Sequence, residues 1–81
     1  MKTVISVQPL DNYKLLLEFD NGEKRIGDIS SLLVKPIFAF LKDSTFFNSV
    51  YIEYGAVTWR DNNGQEVDIC PDKLYMDSVP A

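Results

Sequence analysis

Val57-Thr-Trp-Arg-Asp-Asn-Asn-Gly-Gln-Glu-Val-Asp-Ile-Cys-Pro-Asp-Lys-Leu-Tyr75 carries the most structural information in the chain. It reads as a strand, a turn, a returning strand and a helix that starts at a proline. The turn is the informative part. A two-residue turn at Asn63-Gly64 sets Trp59 opposite Asp68 and mixes apolar with charged residues on one face. A three-residue loop, Asn62-Asn63-Gly64 with Gly64 in the left-handed bulge position, pairs Trp59 with Val67 and Val57 with Ile69. It also sets Arg60 opposite Glu66 on the outer face. A one-residue slip exchanges the faces of a strand, so matching the faces selects the bulged loop.

Working upstream, Val50, Ile52 and Tyr54 alternate with Tyr51 and Glu53. Gly55-Ala56 is expected to close this strand on the next by a type II′ turn, setting Ile52 opposite Trp59 and Tyr54 opposite Val57. The N-terminal half repeats the pattern. Asn21-Gly22 is the dipeptide favoured in type I′ turns, and closing there pairs Phe19 with Lys24, Glu18 with Arg25 and Leu17 with Ile26. Leu15, Leu17, Phe19 and Ile26 then share a core face. Thr3 to Gln8 reads as a strand before this hairpin.

Two helical segments complete the pattern. Pro36 suits a first helical turn, followed by an apolar stripe of Ile37, Phe40 and Leu41. Asp43 or Ser44 is expected to cap a further short turn through Phe46 and Phe47. Pro71 starts the last helix, with Asp72 at the positive end of its dipole and Leu74 and either Tyr75 or Met76 expected to pack inward, and the helix is expected to stop before Pro80. The sequence thus predicts one small α+β domain over residues 1–81: two three-stranded antiparallel meanders, each followed by a short helix (βββ-α-βββ-α), with the helices on one face.

The composition excludes more chemistry than it offers. A hydrophobic fraction of 46% and a charged fraction of 25% describe an ordinary globular domain rather than a disordered chain. There is no histidine and one cysteine, Cys70. Imidazole-based acid–base catalysis, Ser-His-Asp and Cys-His centres and structural zinc sites therefore have no donors to build from. A lone cysteine also forms no internal disulfide, which points to a reducing cytoplasm. No apolar run approaches the roughly 20 residues of a membrane span, and the N-terminal apolar stretch is too short for a signal peptide. The net charge of −4 sits at one end. Asp61, Glu66, Asp68, Asp72 and Asp77 face Lys73 alone after residue 60, whereas the preceding residues balance. That distribution repels phosphate backbones, so direct nucleic-acid binding is not expected.

Several short pieces appear in a recognisable order: Tyr13…Leu17-Glu-Phe-Asp-Asn-Gly22, Asp28-Ile29 and Leu32-Leu33, Phe38…Leu41-Lys-Asp43…Phe47, and Gly55-Ala-Val-Thr-Trp59…Val67-Asp-Ile69…Asp72-Lys-Leu-Tyr75. In these the chain resembles the small bacterial family called domain of unknown function 2442. The family is similar to the N-terminal domain of some longer proteins in which a helix-turn-helix DNA-binding domain follows. Short members are often encoded beside another small family, in an arrangement like a toxin–antitoxin pair. The resemblance implies no catalytic residues, and none is assigned here.

The remaining candidates favour recognition over chemistry. Cys70 lies at a helix start, where thiols are often activated, but Asp68 and Asp72 surround it with negative charge and no base stands beside it. Asp61-Asn62-Asn63-Gly64 lacks the ligand spacing of a calcium loop and has the composition of a tight turn. Trp59 is assigned to the core by its parity with Val57, Val67 and Ile69. Tyr51, Phe46, Phe47 and also Phe38 are the aromatic candidates for a partner surface, because adjacent Phe46 and Phe47 cannot both point inward. Asp61, Glu66, Asp68, Asp72 and Asp77 are the acidic candidates. No enzyme activity, metal or cofactor is expected. The function expected is a non-enzymatic interaction domain, antitoxin-like or an accessory subunit, that binds a small basic partner protein such as the product of a neighbouring gene. A homodimer through a sheet edge is a further expectation. The alternative is a ligand-sensing regulatory domain acting on transcription through a separate DNA-binding chain.

Overall fold

Seven short strands arrange themselves as two antiparallel sheets in the computed structural model, which describes residues 2–81. Strands β1 (Val4–Leu10), β2 (Lys14–Phe19) and β3 (Lys24–Asp28) form a meander, and the two-residue strand β7 (Val79–Pro80) adds to β3. Strands β4 (Tyr51–Glu53), β5 (Ala56–Arg60) and β6 (Glu66–Ile69) form the second sheet. Helix α1 (Ser44–Phe47) precedes β4, and helix α2 (Pro71–Asp77) runs from β6 to β7. The architecture is α+β with two antiparallel sheets. The expected βββ-α-βββ-α order is corrected in two respects. The chain returns to the first sheet after α2, and most of the segment between the sheets winds as 3-10 turns at Ser30–Val34 and Pro36–Lys42 rather than as one helix.

The bulged hairpin follows the parity argument. Gln65 O accepts from Asp61 N at 2.9 Å, Asp61 O accepts from Gly64 N at 2.9 Å, and Gly64 has φ +76°. Trp59 pairs with Val67, Val57 with Ile69 and Arg60 with Glu66. Asp61 locks the loop, its Oδ1 accepting from the backbone N–H groups of Asn63 and Gln65. The β4–β5 turn lies one residue earlier than expected. Tyr54-Gly55 occupies its two central positions, both with positive φ, and Ile52 pairs with Val57 rather than with Trp59. This shift of two in register keeps the paired residues of both strands on their expected faces and moves Tyr54 out of the strand into the turn.

The first hairpin departs from expectation with larger consequences. Its loop is Asp20-Asn21-Gly22, with Phe19 N donating to Glu23 O and Gly22 N to Phe19 O, both at 2.9 Å. Leu17 therefore pairs with Arg25 and Leu16 with Ile26, so β3 turns Arg25 and Gly27 to the core side and Ile26 to the outside. Burying a guanidinium is unfavourable unless its donors are satisfied. Here the C-terminal segment satisfies them. Arg25 donates from Nε to Ser78 Oγ and from Nη2 to the Ser78 carbonyl, each at 2.7 Å, meets Glu23 at 3.1 Å, and stacks 4.5 Å from the Tyr75 ring centroid. Gly27 leaves room for Leu17 and Leu74, whose methyl groups stand 3.4 and 3.7 Å from where a Cβ would be.

One core joins both sheets. Leu15, Leu17 and Phe19 from β2 meet Val57 and Trp59 from β5, with Leu41, Phe47 and Leu74 closing the ends. Trp59 is fully buried and its indole N–H donates to the Phe47 carbonyl at 3.0 Å. The sheets also touch at the backbone, where Val4 N donates to Gly55 O at 2.9 Å. The radius of gyration is 11.7 Å, that of a closely packed chain of this length.

Candidate functional site

The outer face of the second sheet carries an excess of negative charge, with Glu53, Glu66 and Asp68 against Arg60. Alternation along β4 points Tyr51 and Glu53 outward, along β5 Ala56, Thr58 and Arg60, and along β6 Glu66 and Asp68. The central strand supplies small residues and its neighbours supply long ones. The result is a shallow depression floored by Ala56 and Thr58 and rimmed by Glu53, Tyr54, Glu66 and Asp68. Thr58 is 2% exposed and its hydroxyl donates to the Ala56 carbonyl at 3.0 Å, so the floor is internally satisfied. Tyr51 spans the sheet diagonally, its hydroxyl donating to Glu66 Oε2 at 2.9 Å. Partial burial, with the bond to Glu66 second, holds the Tyr51 phenol above its ordinary pKa, so it stays a donor throughout the neutral range. Arg60 approaches Glu66 at 3.9 Å. The carboxylates of Glu53 and Asp68 make no ion pair or hydrogen bond among the described residues.

The acidic candidates do not form a single patch. Glu66 and Asp68 share the sheet face. Asp61 is spent on its turn. Asp72 accepts the backbone N–H of Lys2 at 2.7 Å, tying the N-terminal segment to α2, and Asp77 is paired with Lys73 at 2.8 Å one helical turn away. Among the aromatic candidates, Tyr51 is on the face, while Phe46 is half-buried against Phe40 at 5.6 Å in an edge arrangement. Phe47 is corrected to a core residue: it lies between Tyr13 at 5.4 Å and Trp59 at 6.2 Å and is unavailable to a partner. Phe38 is likewise buried, and Ile37 is turned to solvent in its place. Cys70 is exposed and makes no capping bond at the start of α2.

Glu53 and Tyr54 complete the face and were not among the candidates. The period-two pattern already set Glu53 on the side of Tyr51, but its charge was absorbed in the balanced first sixty residues. Tyr54 was assigned to a strand pair; as a turn residue with φ 52° it is instead 97% exposed.

A second concavity of about 210 Å³ lies between the end of β3, the Ser30–Val34 turn, the end of β6 and α2. Ile29, Leu32, Ile69 and Leu74 give it an apolar floor, and Asp28, Lys73 and Asp77 a charged rim. The Ser30 N–H, donating to Asp28 Oδ1 at 2.9 Å, holds the Asp28 carboxyl below its usual pKa. The volume is below the ~300 Å³ at which pockets for drug-sized ligands begin. Among the described residues no three Cys, Asp or Glu side chains cluster as metal ligands, and no helix is long and apolar enough to cross a membrane.

A family model described as a protein of unknown function (DUF2442) matches residues 4–80, from the first residue of β1 to the last of β7. The chain belongs to the DUF2442 family. No curated protein and no solved structure matches this DUF2442 chain significantly. The match spans every strand and helix, so membership covers the fold and the acidic sheet face together.

Proposed function

We propose that this DUF2442 chain is a cytoplasmic, non-enzymatic interaction domain that binds a small basic protein through the outer face of β4–β6, as an antitoxin or accessory subunit does. One observation carries the reading: Glu53 and Asp68 rim a depression with small residues at its floor and form no ion pair among the described residues, with the phenols of Tyr51 and Tyr54 at hand. Such a face offers charge complementarity at its rim and aromatic contact beside it, the combination that speeds association and gives specificity. Phosphate backbones are repelled by the same charge, so the partner is a protein rather than a nucleic acid.

Co-purification with the product of a neighbouring gene tests the proposal. The expected outcome is a complex whose association slows and loses salt dependence when Glu53 and Asp68 are changed together to lysine. A chain that captures no basic partner, or a complex indifferent to that double change, refutes it.

The cleft at Ile69 and Leu74 favours a second reading, a small-ligand sensor that acts on transcription through a separate DNA-binding chain. It requires a ligand-dependent rise in melting temperature across a metabolite panel, abolished by Leu32→Trp. A flat panel removes this reading and leaves the first intact.

A further inference from the structure

The sheet that carries the acidic face ends in a strand whose far edge is unpaired. β6 makes its extensive contacts with β5 alone, and none of the backbone hydrogen bonds made outside the sheets involves residues 66–69 among the described residues. The other edges suit an added basic strand less well. β1 meets the second sheet through a single backbone bond, Val4 to Gly55, and it carries Pro9 and no charged residue, while β7 is two residues long and ends in a proline.

The hairpin geometry states which groups β6 leaves free. In an antiparallel pair, residues alternate between bonding the neighbouring strand and pointing their N–H and C=O away from it. The ladder begins with Asp61 N donating to Gln65 O, so Val67 and Ile69 bond β5 and Glu66 and Asp68 direct their backbone groups to the open edge. The same two residues carry the exposed carboxylates of the outer face. The free peptide groups and the negative charges therefore coincide residue by residue.

We propose that the β6 edge is the docking line of the basic partner, which adds to the sheet as an antiparallel strand with Lys or Arg at alternate positions opposite Glu66 and Asp68. The inference rests on the interaction reading above and specifies its partner. Main-chain bonds supply the attachment and alternate side chains the selectivity, as in other strand-addition complexes. Residues between the basic positions fall on the side of Val67 and Ile69, both buried, and are apolar; Ile69 also lines the 210 Å³ cleft, which takes the side chain opposite it. A second copy of this chain is disfavoured at the edge, because β6 against β6 opposes carboxylate to carboxylate.

The test uses the full chain and a fluorescein-labelled peptide of alternating lysine and valine. One control peptide carries N-methyl groups on the lysines, keeping the charge and losing the main-chain donors; another has the lysines in one block. Anisotropy is expected to show salt-sensitive binding of the alternating peptide and about tenfold or more weaker binding of both controls. Amide hydrogen exchange at Glu66 and Asp68 is expected to slow when that peptide is added, with the Val67 amide already protected without it. Equal binding of the N-methylated peptide overturns the edge proposal but leaves a purely electrostatic partner face standing. No binding of any peptide also overturns it, and co-purification then decides the wider reading separately. Protection at Glu66 and Asp68 in peptide-free protein, together with a dimeric mass, overturns it in favour of a second copy.

Discussion

Gly55 shows how much one side chain decides. It holds φ +76°, and a Cβ built there stands 2.4 Å from Thr3 Cγ2, at the place where the two sheets exchange a backbone bond. Gly64 has the same φ with open space around it. Alanine at Gly64 is expected to cost about 1 kcal/mol for the left-handed backbone alone. Alanine at Gly55 is expected to cost clearly more, and Thr3→Ala to restore part of the difference in a thermal double-mutant cycle. Tyr54, beside it, holds a left-handed conformation without glycine's freedom. Tyr54→Asn, which creates the dipeptide favoured in type I′ turns, is expected to raise stability by about 0.5–1 kcal/mol, read as a higher melting temperature. The pair Tyr75–Glu23 makes the pH dependence local. Tyr75 donates to Glu23 Oε1 at 2.5 Å, and that bond holds the Glu23 carboxyl below its ordinary pKa and the Tyr75 phenol above its own. The depressed carboxyl contributes stability that is full above its unfolded pKa and is lost as pH falls through the lower folded one. The raised phenol contributes stability that is full below its unfolded pKa and is lost as pH rises through the higher folded one. Tyr75→Phe is expected to flatten both limbs of a melting-temperature profile. Unchanged limbs would place the pH dependence on other groups.

At the scale of elements, the three hairpins show what can be read without coordinates. The β5–β6 loop was legible because only one loop length puts Trp59, Val67, Val57 and Ile69 on one face. The β4–β5 turn was legible in face but not in register, since a shift of two residues is silent to parity. The β2–β3 loop was misread for a physical reason. Local preference for Asn-Gly and the apolar match of Leu17 with Ile26 both favoured the tighter turn, whereas the guanidinium of Arg25 gains two hydrogen bonds to Ser78 and a stack on Tyr75 from α2 and its C-terminal flank, beside its bond to Glu23. Nothing near Arg25 in sequence announces Ser78. The helical segment around Pro36 was legible as helical but not in pitch, and 3-10 winding carried Phe38 inward and Ile37 outward. Helix α2 is held to β3 by Leu74 at Gly27 as well as by Tyr75. Leu74→Ala is expected to cost about 2–4 kcal/mol, a fall of roughly 10 °C or more in a domain of this size. A smaller loss would mean that the polar contacts of Tyr75 and Ser78 hold the helix unaided.

For the whole molecule, the charge asymmetry read from composition resolves into two different things. Asp61, Asp72 and Asp77 hold a turn, a terminal segment and a helix, Glu66 is shared with Tyr51 and Arg60, and Asp68 has no side-chain partner among the described residues, like Glu53 from the half that looked neutral. The acidic surface was therefore legible in sign and in place along the chain, but not in membership, because hydrogen-bond partners such as the Lys2 N–H for Asp72 lie seventy positions away. Raised salt is accordingly expected to leave the melting temperature almost unchanged, since exposed pairs such as Lys73–Asp77 contribute little, while it weakens partner binding strongly. A large salt-induced shift in melting temperature would assign these carboxylates to folding instead.

The return of the chain to its first sheet has a consequence for synthesis. Arg25 belongs to a hairpin that leaves the ribosome early, yet its hydroxyl and carbonyl partners on Ser78 emerge 53 residues later. Until then the guanidinium stays hydrated, and the β2–β3 hairpin has no covering for Gly27 and Phe19. The bonds of Arg25 to Ser78 and the packing of Leu74 on Gly27 therefore form only after α2 and β7 have been synthesised, whatever the rest of the two sheets does earlier.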